Sequence, residues 1–305
     1  MTHNHTLPEI LLLHSSDWKD YELIDSGDGK KLERFGKYKF IRPEHQAMWK
    51  PVLTADQWNT ADAIFKSTGG ESGGNWIIQN LIPKFWTIRY KNLQFEVGVS
   101  GSRHLGMFPE QSVHWDWIAE KINQHVLSST AHKQVRVLNL FGYTGLASLA
   151  ASTAGAHVTH VDASRKAINW AKKNQSLSGL DDRPIRWLLD DAIKFVQREV
   201  RRGSLYEGII LDPPKFGRGP KGQVWEVFES LPDLLAECRK LLSPKPVFIL
   251  LTTYAIRSSS LSPHYTIQEL TKDLGGTTTS GELVLIESSA GRLISMANFS
   301  RWVTE

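Results

Sequence analysis

Acidic side chains stand at the predicted carboxyl ends of three strands in this 305-residue chain. Asp162 follows one strand, the pair Asp190-Asp191 follows the next, and Asp212 follows a third. Open sheets of parallel strands bind ligands at this edge. A carboxylate at Asp162 can accept both hydroxyls of a ribose, and one at Asp190 or Asp191 can accept the amino group of a purine. The spacing therefore predicts a nucleoside pocket, in which one of the two neighbouring aspartates is expected only to cap a helix.

A glycine turn precedes Asp162 in the order that a nucleoside site requires. Residues 135–141 predict a buried strand, Gly142 and Gly145 a turn, and residues 146–154 a helix. A dinucleotide site needs three glycines to cradle a pyrophosphate, whereas Asn139 stands before this pair. The turn therefore fits S-adenosylmethionine, which carries no phosphate, better than NAD. A dehydrogenase and a turn without any ligand are the alternatives.

The run Asp212-Pro-Pro-Lys-Phe216 follows the fourth strand of the series and is the most specific motif in the chain. Its two prolines stiffen the backbone, remove two donors and are expected to leave carbonyls free. A rigid carboxylate beside a flat aromatic ring suits a planar base that is held for methyl transfer. The alternative is a rigid loop that only ends a strand. The basic segment 217–222 that follows is expected either to contact a nucleic-acid backbone or to be a solvated loop.

Alternating strands and helices after residue 135 position these motifs. The pattern predicts a Rossmann-like α/β domain over residues 101–305, with a seven-stranded, mostly parallel sheet and an antiparallel C-terminal strand. Residues 1–100 are predicted to form an N-terminal antiparallel β module. Within it, residues 1–17 are expected to be a loose terminus, and residues 54–66 a helix capped by Thr54.

Composition narrows the class of protein. The net charge of +4 is compatible with a nucleic-acid partner, and the single cysteine, Cys238, excludes an intrachain disulfide. Cys238 shares a predicted helix face with leucines, so we expect a core thiol. The eleven histidines show no metal-binding spacing, and no metal is predicted. Without a long apolar run or the features of a signal peptide, the chain is expected to be cytoplasmic and not bound to a membrane.

Aromatic residues of the β module alternate with basic ones, which makes this module a candidate RNA surface. The residues concerned are Phe35, Tyr38, Phe40, Trp86 and Tyr90.

Together these motifs resemble the class I methyltransferases that modify bases of bacterial 23S ribosomal RNA, in the branches that methylate cytosine C5 or guanine N7. The resemblance rests on residues 138–145, 161–164, 171–174, 190–191 and 211–216. The loop 105–111 is similar to the family's Thr-Gly-x-Phe-x-Asp-Gln motif, with Leu105 and Glu110 as departures. The family's fold, its cofactor S-adenosylmethionine and an RNA partner, ribosomal RNA first, are what the resemblance implies.

One departure bears on the target atom. The cytosine-C5 branch carries a nucleophilic cysteine after its fifth strand, where this chain has Tyr254-Ala255. Carbon 5 of cytosine becomes nucleophilic only after a thiolate adds at carbon 6. Direct transfer to a ring or exocyclic nitrogen is therefore expected. A methyltransferase of a protein or small molecule and a non-catalytic RNA-binding protein are the alternatives, and the oligomeric state is not predicted.

The motifs and the resemblance together assign the candidate site residues. The residues expected to bind the cofactor are Gly106, Phe108, Gln111, Asn139, Phe141, Gly142, Tyr143, Thr144, Gly145, Asp162, Ala163, Asp191, Ala192 and Asp212. The residues expected to hold the base and act in catalysis are Asp212, Pro213, Pro214, Lys215, Phe216 and Tyr254.

Overall fold

The computed structural model describes residues 7–15, 17–68, 73–128, 134–254 and 258–304. The strands are β1 Ile10–Leu13, β2 Tyr21–Gly27, β3 Lys30–Phe35, β4 Tyr38–Pro43, β5 Ala63–Ser67, β6 Gly74–Ile78, β7 Phe85–Tyr90, β8 Leu93–Gly98, β9 Arg136–Leu140, β10 His157–Asp162, β11 Ile185–Leu189, β12 Gly208–Leu211, β13 Phe216–Arg218, β14 Val224–Glu226, β15 Phe248–Tyr254, β16 Thr277–Ile286 and β17 Leu293–Val303. The helices are α1 Ala55–Trp58, α2 Ser112–Ser128, α3 Leu146–Thr153, α4 Arg165–Leu177, α5 Ala192–Arg201, α6 Val227–Lys240 and α7 Leu261–Thr271, with a 3₁₀ turn at Pro109–Gln111.

The large sheet confirms the predicted α/β class. Its order is β1-β16-β17-β15-β12-β9-β10-β11. Only β17 runs antiparallel to its neighbours, and it lies between β15 and β16 and not at the edge. The predicted seven strands are all present, and β1 adds an eighth at the edge beside β16. The expectation of a loose terminus over residues 1–17 is therefore wrong for Ile10–Leu13, because this apolar segment finds a partner strand near the other end of the chain.

Alternate residues of the central strands pack on opposite faces of the sheet. Leu138 and Leu211 contact the buried side of α5, α6 and α7, whereas Val137 and Ile210 contact α2 and α3. Both faces are thus covered, which explains why these strands are continuous apolar runs in the sequence. This arrangement leaves the carboxyl ends of the strands as the exposed edge at which loops form a site.

The N-terminal segment forms one five-stranded sheet, β2-β3-β4-β5-β6, and the separate pair β7-β8. The helix predicted over residues 54–66 is a single turn, α1, with Thr54 as its cap. Residues 63–67 form β5 instead, which pairs parallel with β4 and antiparallel with β6. Ala63 and Phe65 are buried on one side of it, so a period of two and the available partner strands prevail over helix propensity here.

One hydrophobic cluster includes residues of both halves of the chain. It joins Phe35, Phe40 and Phe95 to Leu149 on α3 and to Ile294 on β17. Division of the chain at residue 100 stays a prediction.

Buried ion pairs reinforce the contact between the two halves. Arg42 donates to both carboxylate oxygens of Glu33 at 2.7 Å, and its Nη1 reaches the carbonyl of Arg103 at 3.2 Å. Arg292 on the other half binds Glu287 at 2.6 Å and the carbonyl of Lys50 at 3.0 Å. Arg42, Glu33 and Glu287 are buried and Arg292 is partly exposed, so removing either arginine would leave a buried carboxylate without its ion-pair partner. The β module is thereby held at a definite position beside the sheet edge.

Candidate active site

A cavity of about 680 Å³ opens at the carboxyl ends of β9, β10, β12 and β15. Its volume lies in the range typical of small-molecule sites. All six residues predicted to be catalytic line it. The predicted cofactor residues that also line it are Phe108, Gln111, Phe141, Tyr143, Asp162, Ala163, Asp191, Ala192 and Asp212.

The remaining predicted cofactor residues lie beside or behind this wall. Asn139, Gly142 and Thr144 line a smaller cavity of about 50 Å³ that shares Gln111 and Asp212 with the large one. Gly106 and Gly145 line neither cavity. Gly106 has a φ of +98°, and a Cβ there would lie 2.3 Å from the Trp170 ring. Gly106 and Gly145 thus permit close packing behind the site.

The turn after β9 has an unusual backbone conformation. Phe141 and Tyr143 have φ values of +58° and +50°, and Gly145, with a φ of +88°, begins α3. Non-glycine residues rarely adopt this left-handed conformation, and such strain is concentrated at functional sites. Asn139 donates from Nδ2 to Ser148 Oγ at 2.8 Å, so its amide supports the turn from inside the fold.

Asp162 is held toward the cavity by two backbone donors. The Tyr143 N–H donates to Oδ2 at 2.9 Å, and the Ser164 N–H donates to Oδ1 at 2.7 Å. Burial raises the pKa of this carboxyl above its ordinary value. Each carboxylate oxygen has a second lone pair, so both can still accept a hydroxyl. A fixed pair of acceptors fits the vicinal hydroxyls of the ribose in S-adenosylmethionine.

The two aspartates after β11 have different roles in the fold. Asp191 caps α5 by accepting from the Lys194 N–H at 3.0 Å. Asp190 forms an ion pair with Arg198 and accepts from the N–H of Asp191 at 2.9 Å. The helix cap that the sequence predicted for one of them is therefore Asp191, which also lines the cavity. Its contact with an adenine stays a prediction.

Asp212 lies at the centre of the site, where the two cavities meet. Gln111 Nε2 donates to its Oδ2 at 3.1 Å. Burial, together with the nearby Glu110, raises the pKa of Asp212 to about 7. Burial also raises the pKa of Glu110 to about 7. The negative charge of Glu110 disfavours the ionisation of Asp212.

This environment predicts a pH dependence of activity. A raised pKa leaves Asp212 largely protonated below pH 7 and ionised above it, so a reaction that needs the carboxylate should accelerate as pH rises from 6 to 8. Initial rates of methyl transfer at saturating substrate should show this rising limb. Glu110→Gln removes the like charge and should move the limb to lower pH. A flat profile, or a limb unmoved in that variant, would contradict the assignment to Asp212.

The structure corrects one expectation for the Asp-Pro-Pro-Lys motif. The carbonyl of Pro214 accepts from the Trp225 indole N–H at 2.7 Å, and the carbonyl of Lys215 accepts from the Val227 N–H at 3.0 Å. These two carbonyls were expected to be free, and each instead has one hydrogen-bond partner, because the segment after the motif returns and pairs with it. Trp225 also packs on Phe141 at 4.8 Å between ring centroids, which ties the motif to the glycine turn.

An aromatic wall closes another side of the cavity. Tyr254 lies 5.3 Å from Phe108 and 6.1 Å from His104, measured between ring centroids, and Phe108 lies 5.7 Å from Tyr143. Burial raises the pKa of Tyr254, so its phenol is neutral at physiological pH. A planar ring could pack against this wall.

Several lining residues were not predicted from the sequence. They include Ser100, Ser102, Arg103, His104, Lys166, Trp170 and Trp225. Arg103 and His104 directly precede the loop 105–111, so their sequence position beside that motif could have indicated them. Trp170 and Trp225 come from a helix and a hairpin whose approach to the site is decided by packing.

Three of the five aromatic residues predicted to offer an RNA surface are buried, and the other two are half-buried. Phe35, Phe40 and Tyr90 are buried, and Trp86 stacks on Phe40 at 5.5 Å with an interplanar angle of 5°. Tyr38 packs against Trp86 at 5.2 Å. Phe35, Phe40 and Tyr90 are therefore core side chains and cannot contact RNA, because the small sheets need large rings to fill the space between them and the main sheet. An RNA contact of the half-buried Tyr38 and Trp86 stays a prediction.

The described residues contain neither a cluster of three or more His, Cys, Asp or Glu side chains that could hold a metal ion nor a helix long and apolar enough to span a membrane.

The sheet has one reversed strand, β17, beside β15. The cavity lies at the carboxyl ends of the parallel strands, with Asp162 as the last residue of β10. These features define a Rossmann-like methyltransferase fold. The family model for S-adenosylmethionine-dependent methyltransferases matches residues 42–272. The chain belongs to this family, and its cofactor is S-adenosylmethionine.

Individual relatives agree with this assignment. A crystal structure of an S-adenosylmethionine-dependent methyltransferase from Agrobacterium tumefaciens matches with a TM-score of 0.91 and 46% identity, and covers 100% of this chain and 98% of that one. Ribosomal RNA large subunit methyltransferase I of Tolumonas auensis is 26% identical over 84% of this chain and 60% of that protein. Ribosomal RNA large subunit methyltransferase K/L of Shewanella frigidimarina is 32% identical over 50% of this chain and 20% of that protein. The chain thus spans between one fifth and three fifths of the length of these two curated relatives.

Proposed function

We propose that this enzyme methylates a base of RNA, ribosomal RNA first, by direct transfer to a ring or exocyclic nitrogen. The observation that carries the proposal is the half-buried carboxyl of Asp212 in a cavity whose lining contains no thiol. The names of the two ribosomal RNA methyltransferases among the relatives support the substrate class. The proposal puts the enzyme in the cytoplasm, with its substrate.

The cofactor residues take the following roles in this proposal. Asp162 accepts the ribose hydroxyls, Asp191 and Ala192 contact the adenine, and Phe108 and Tyr143 line the methionine side. When bound, S-adenosylmethionine would supply a methyl group activated by its sulfonium; the acceptor's lone pair would bond to the methyl carbon as the carbon–sulfur bond breaks, and S-adenosylhomocysteine would leave. The rest of the catalysis is orientation of the acceptor, for which a rigid site is sufficient.

The acceptor residues line the same cavity. Asp212 binds the edge of the base and stabilises the positive charge that develops when a nitrogen lone pair forms the new bond to carbon. If the nitrogen carries a proton, the carboxylate of Asp212 accepts it. Tyr254 packs against the face of the base, and Lys215 meets a phosphate or a carbonyl oxygen.

A cysteine-dependent route is disfavoured by the place of the only cysteine. Cys238 is buried on α6 in the cluster with Leu234 and Leu235, and burial raises the pKa of its thiol. Cys238→Ser should retain methyl transfer. The apolar setting should make the hydroxyl cost about 1–3 kcal/mol of folding free energy. Transfer assays and thermal melting of the variant check both expectations, and loss of activity in a folded variant would contradict direct transfer.

The decisive experiment for the function compares nucleosides by mass spectrometry from a deletion strain and its parent. A missing N-methylated nucleoside, restored by the purified enzyme with labelled cofactor, is the expected result. Labelling of protein or small molecules without RNA would redirect the proposal. A missing 5-methylcytidine that Cys238→Ser fails to restore would refute the nitrogen acceptor.

A further inference from the structure

A basic hairpin, formed by β13 and β14 (Phe216–Arg218 and Val224–Glu226) and the turn between them, borders the cavity. Its two strands pair antiparallel, with Phe216 opposite Glu226 and Arg218 opposite Val224. Directly opposed residues share a face, so these four side chains lie on one side of the hairpin. Trp225 lies on the other side and is buried against the core. The hairpin therefore presents a defined outer face.

The two apolar side chains of this outer face, Phe216 and Val224, are exposed, although the face adjoins the cavity. Phe216 is 60% exposed and Val224 is 74% exposed. Phe216 also lines the cavity, unlike Val224. The Phe216 ring is exposed at the mouth of the cavity, whereas the Tyr254 ring lies inside it against Phe108. Tyr254 inside the cavity and Phe216 at its rim thus offer two aromatic rings. A single-stranded nucleic acid could use both when one base enters the cavity and the neighbouring base stays outside.

One cation lies beside the exposed ring, and two more follow it in the chain. Lys215 Nζ lies 5.2 Å from the Phe216 centroid, and Arg218 and Lys221 follow on the same hairpin. The acid on this face, Glu226, accepts from the Glu229 N–H at 2.9 Å and caps α6. The face thus combines positive charge with a stacking surface, which is the combination that binds single-stranded nucleic acid without regard to sequence.

The hairpin also contacts the predicted cofactor side of the site. A Cβ on Gly219 would lie 2.8 Å from Asp191 Oδ2, so the turn approaches the cap of α5 closely. Gly219 and Gln223 bond through N–H and carbonyl at 2.8 Å, which keeps the turn closed. A single-stranded RNA bound on the outer face would therefore lie next to the predicted cofactor position as well as next to Asp212.

We propose that the outer face of the basic hairpin binds the single-stranded RNA segment next to the target base, with Phe216 stacked on a neighbouring base and Lys215, Arg218 and Lys221 along the backbone. This inference rests on the proposed function. It assigns the contact with the target base itself to Tyr254, and it predicts that the substrate region is unpaired around the modified position.

The test uses the full chain with S-adenosylhomocysteine and a fluorescein-labelled 12-nucleotide single-stranded RNA of mixed sequence, followed by anisotropy. Phe216→Ala should weaken binding roughly five-fold to 150-fold, the range for loss of one stacked base. Phe216→Tyr should retain binding, whereas Phe216→Leu, which keeps apolar area without a stacking ring, should not. Tyr265→Ala is the matched control, since that ring on α7 is 53% exposed.

The charge contribution is measured by the salt dependence of the same binding. The double variant Arg218→Gln, Lys221→Gln should reduce the slope of log affinity against log salt by about 1.4, the value for two phosphate contacts on a single strand. The exposed pair Arg201→Gln, Lys245→Gln, neither of which lines the cavity, should leave the slope unchanged. Thermal melting shows that each variant is folded.

The outcomes separate the hairpin from the reaction. One outcome is that wild type methylates total RNA and that Phe216→Ala and the double variant bind RNA as tightly as wild type. This would refute RNA binding by the hairpin and leave the proposed function standing. Full binding by Phe216→Leu would replace base stacking by apolar docking and also overturn the proposal for the hairpin. Hairpin-dependent binding without transfer to RNA would support the surface and contradict the reaction, and a wild type that neither binds nor methylates RNA would refute both.

Discussion

Asp212→Asn should lower the rate of methyl transfer by roughly 10²-fold to 10³-fold, the usual cost of removing one preorganised group that faces developing charge. The carboxylate lines both cavities and accepts from Gln111 Nε2 at 3.1 Å. An amide has the same shape and can still accept that hydrogen bond, but it carries no charge and cannot accept a proton. Single-turnover transfer of labelled methyl groups to total RNA measures the effect.

The control for this substitution is Asp233→Asn on α6, where the carboxylate is exposed and does not line the cavity. It should transfer at the wild-type rate. The rising limb of the pH profile should also disappear in Asp212→Asn, although Glu110 with its pKa of about 7 remains, because the carboxylate assigned to the reaction is gone. Wild-type turnover in this variant, with the limb intact, would remove Asp212 from the mechanism.

Asp162→Ala should weaken cofactor binding by about 1.5–3 kcal/mol, which is roughly 10-fold to 150-fold in affinity. The carboxylate is oriented by the N–H groups of Tyr143 and Ser164, and a charged acceptor of a ribose hydroxyl contributes more than a neutral one. Titration calorimetry with S-adenosylhomocysteine measures the loss directly.

Asp162→Ala also leaves the N–H groups of Tyr143 and Ser164 without their acceptor, so thermal melting must show that the variant is folded, and control variants are needed for the affinity. Asp182→Ala, at an exposed turn after α4, removes a carboxylate that holds no ligand and should leave affinity unchanged. Asp162→Asn keeps an acceptor for only one of the two backbone donors and should fall between wild type and alanine. If Asp162→Ala binds the cofactor as tightly as wild type in a folded protein, the ribose assignment is wrong.

Sequence reasoning succeeded where structure is local. The central strands are buried on both faces, so they appear as unbroken apolar runs that end at Asp162 and Asp212. The turn at residues 142–145 and the cap at Asp191 depend on neighbours within a few positions. Because parallel strands place their carboxyl ends at one edge, these local features were enough to locate the cavity and its six predicted catalytic residues.

It failed where a residue's environment depends on a distant partner. The segment Ile10–Leu13 became a strand only because β16, about 270 positions later, offered an edge. Phe35 and Phe40 have the same local pattern as surface aromatics, and the docking of the β module on the sheet buried them. The helix α7 was not predicted at all, since its propensity and periodicity are weak.

By itself the sequence determined the class of fold, the order of the motifs and the absence of a second thiol, all of which follow from residue type and spacing. Only the tertiary structure decided that Glu110 shares a buried region with Asp212, that Trp225 occupies the carbonyl of Pro214, and that Phe216 stays at the rim. The physical reason is that burial and charge proximity are properties of groups brought together from separate elements. No local pattern in a chain specifies the dielectric environment that those groups will share.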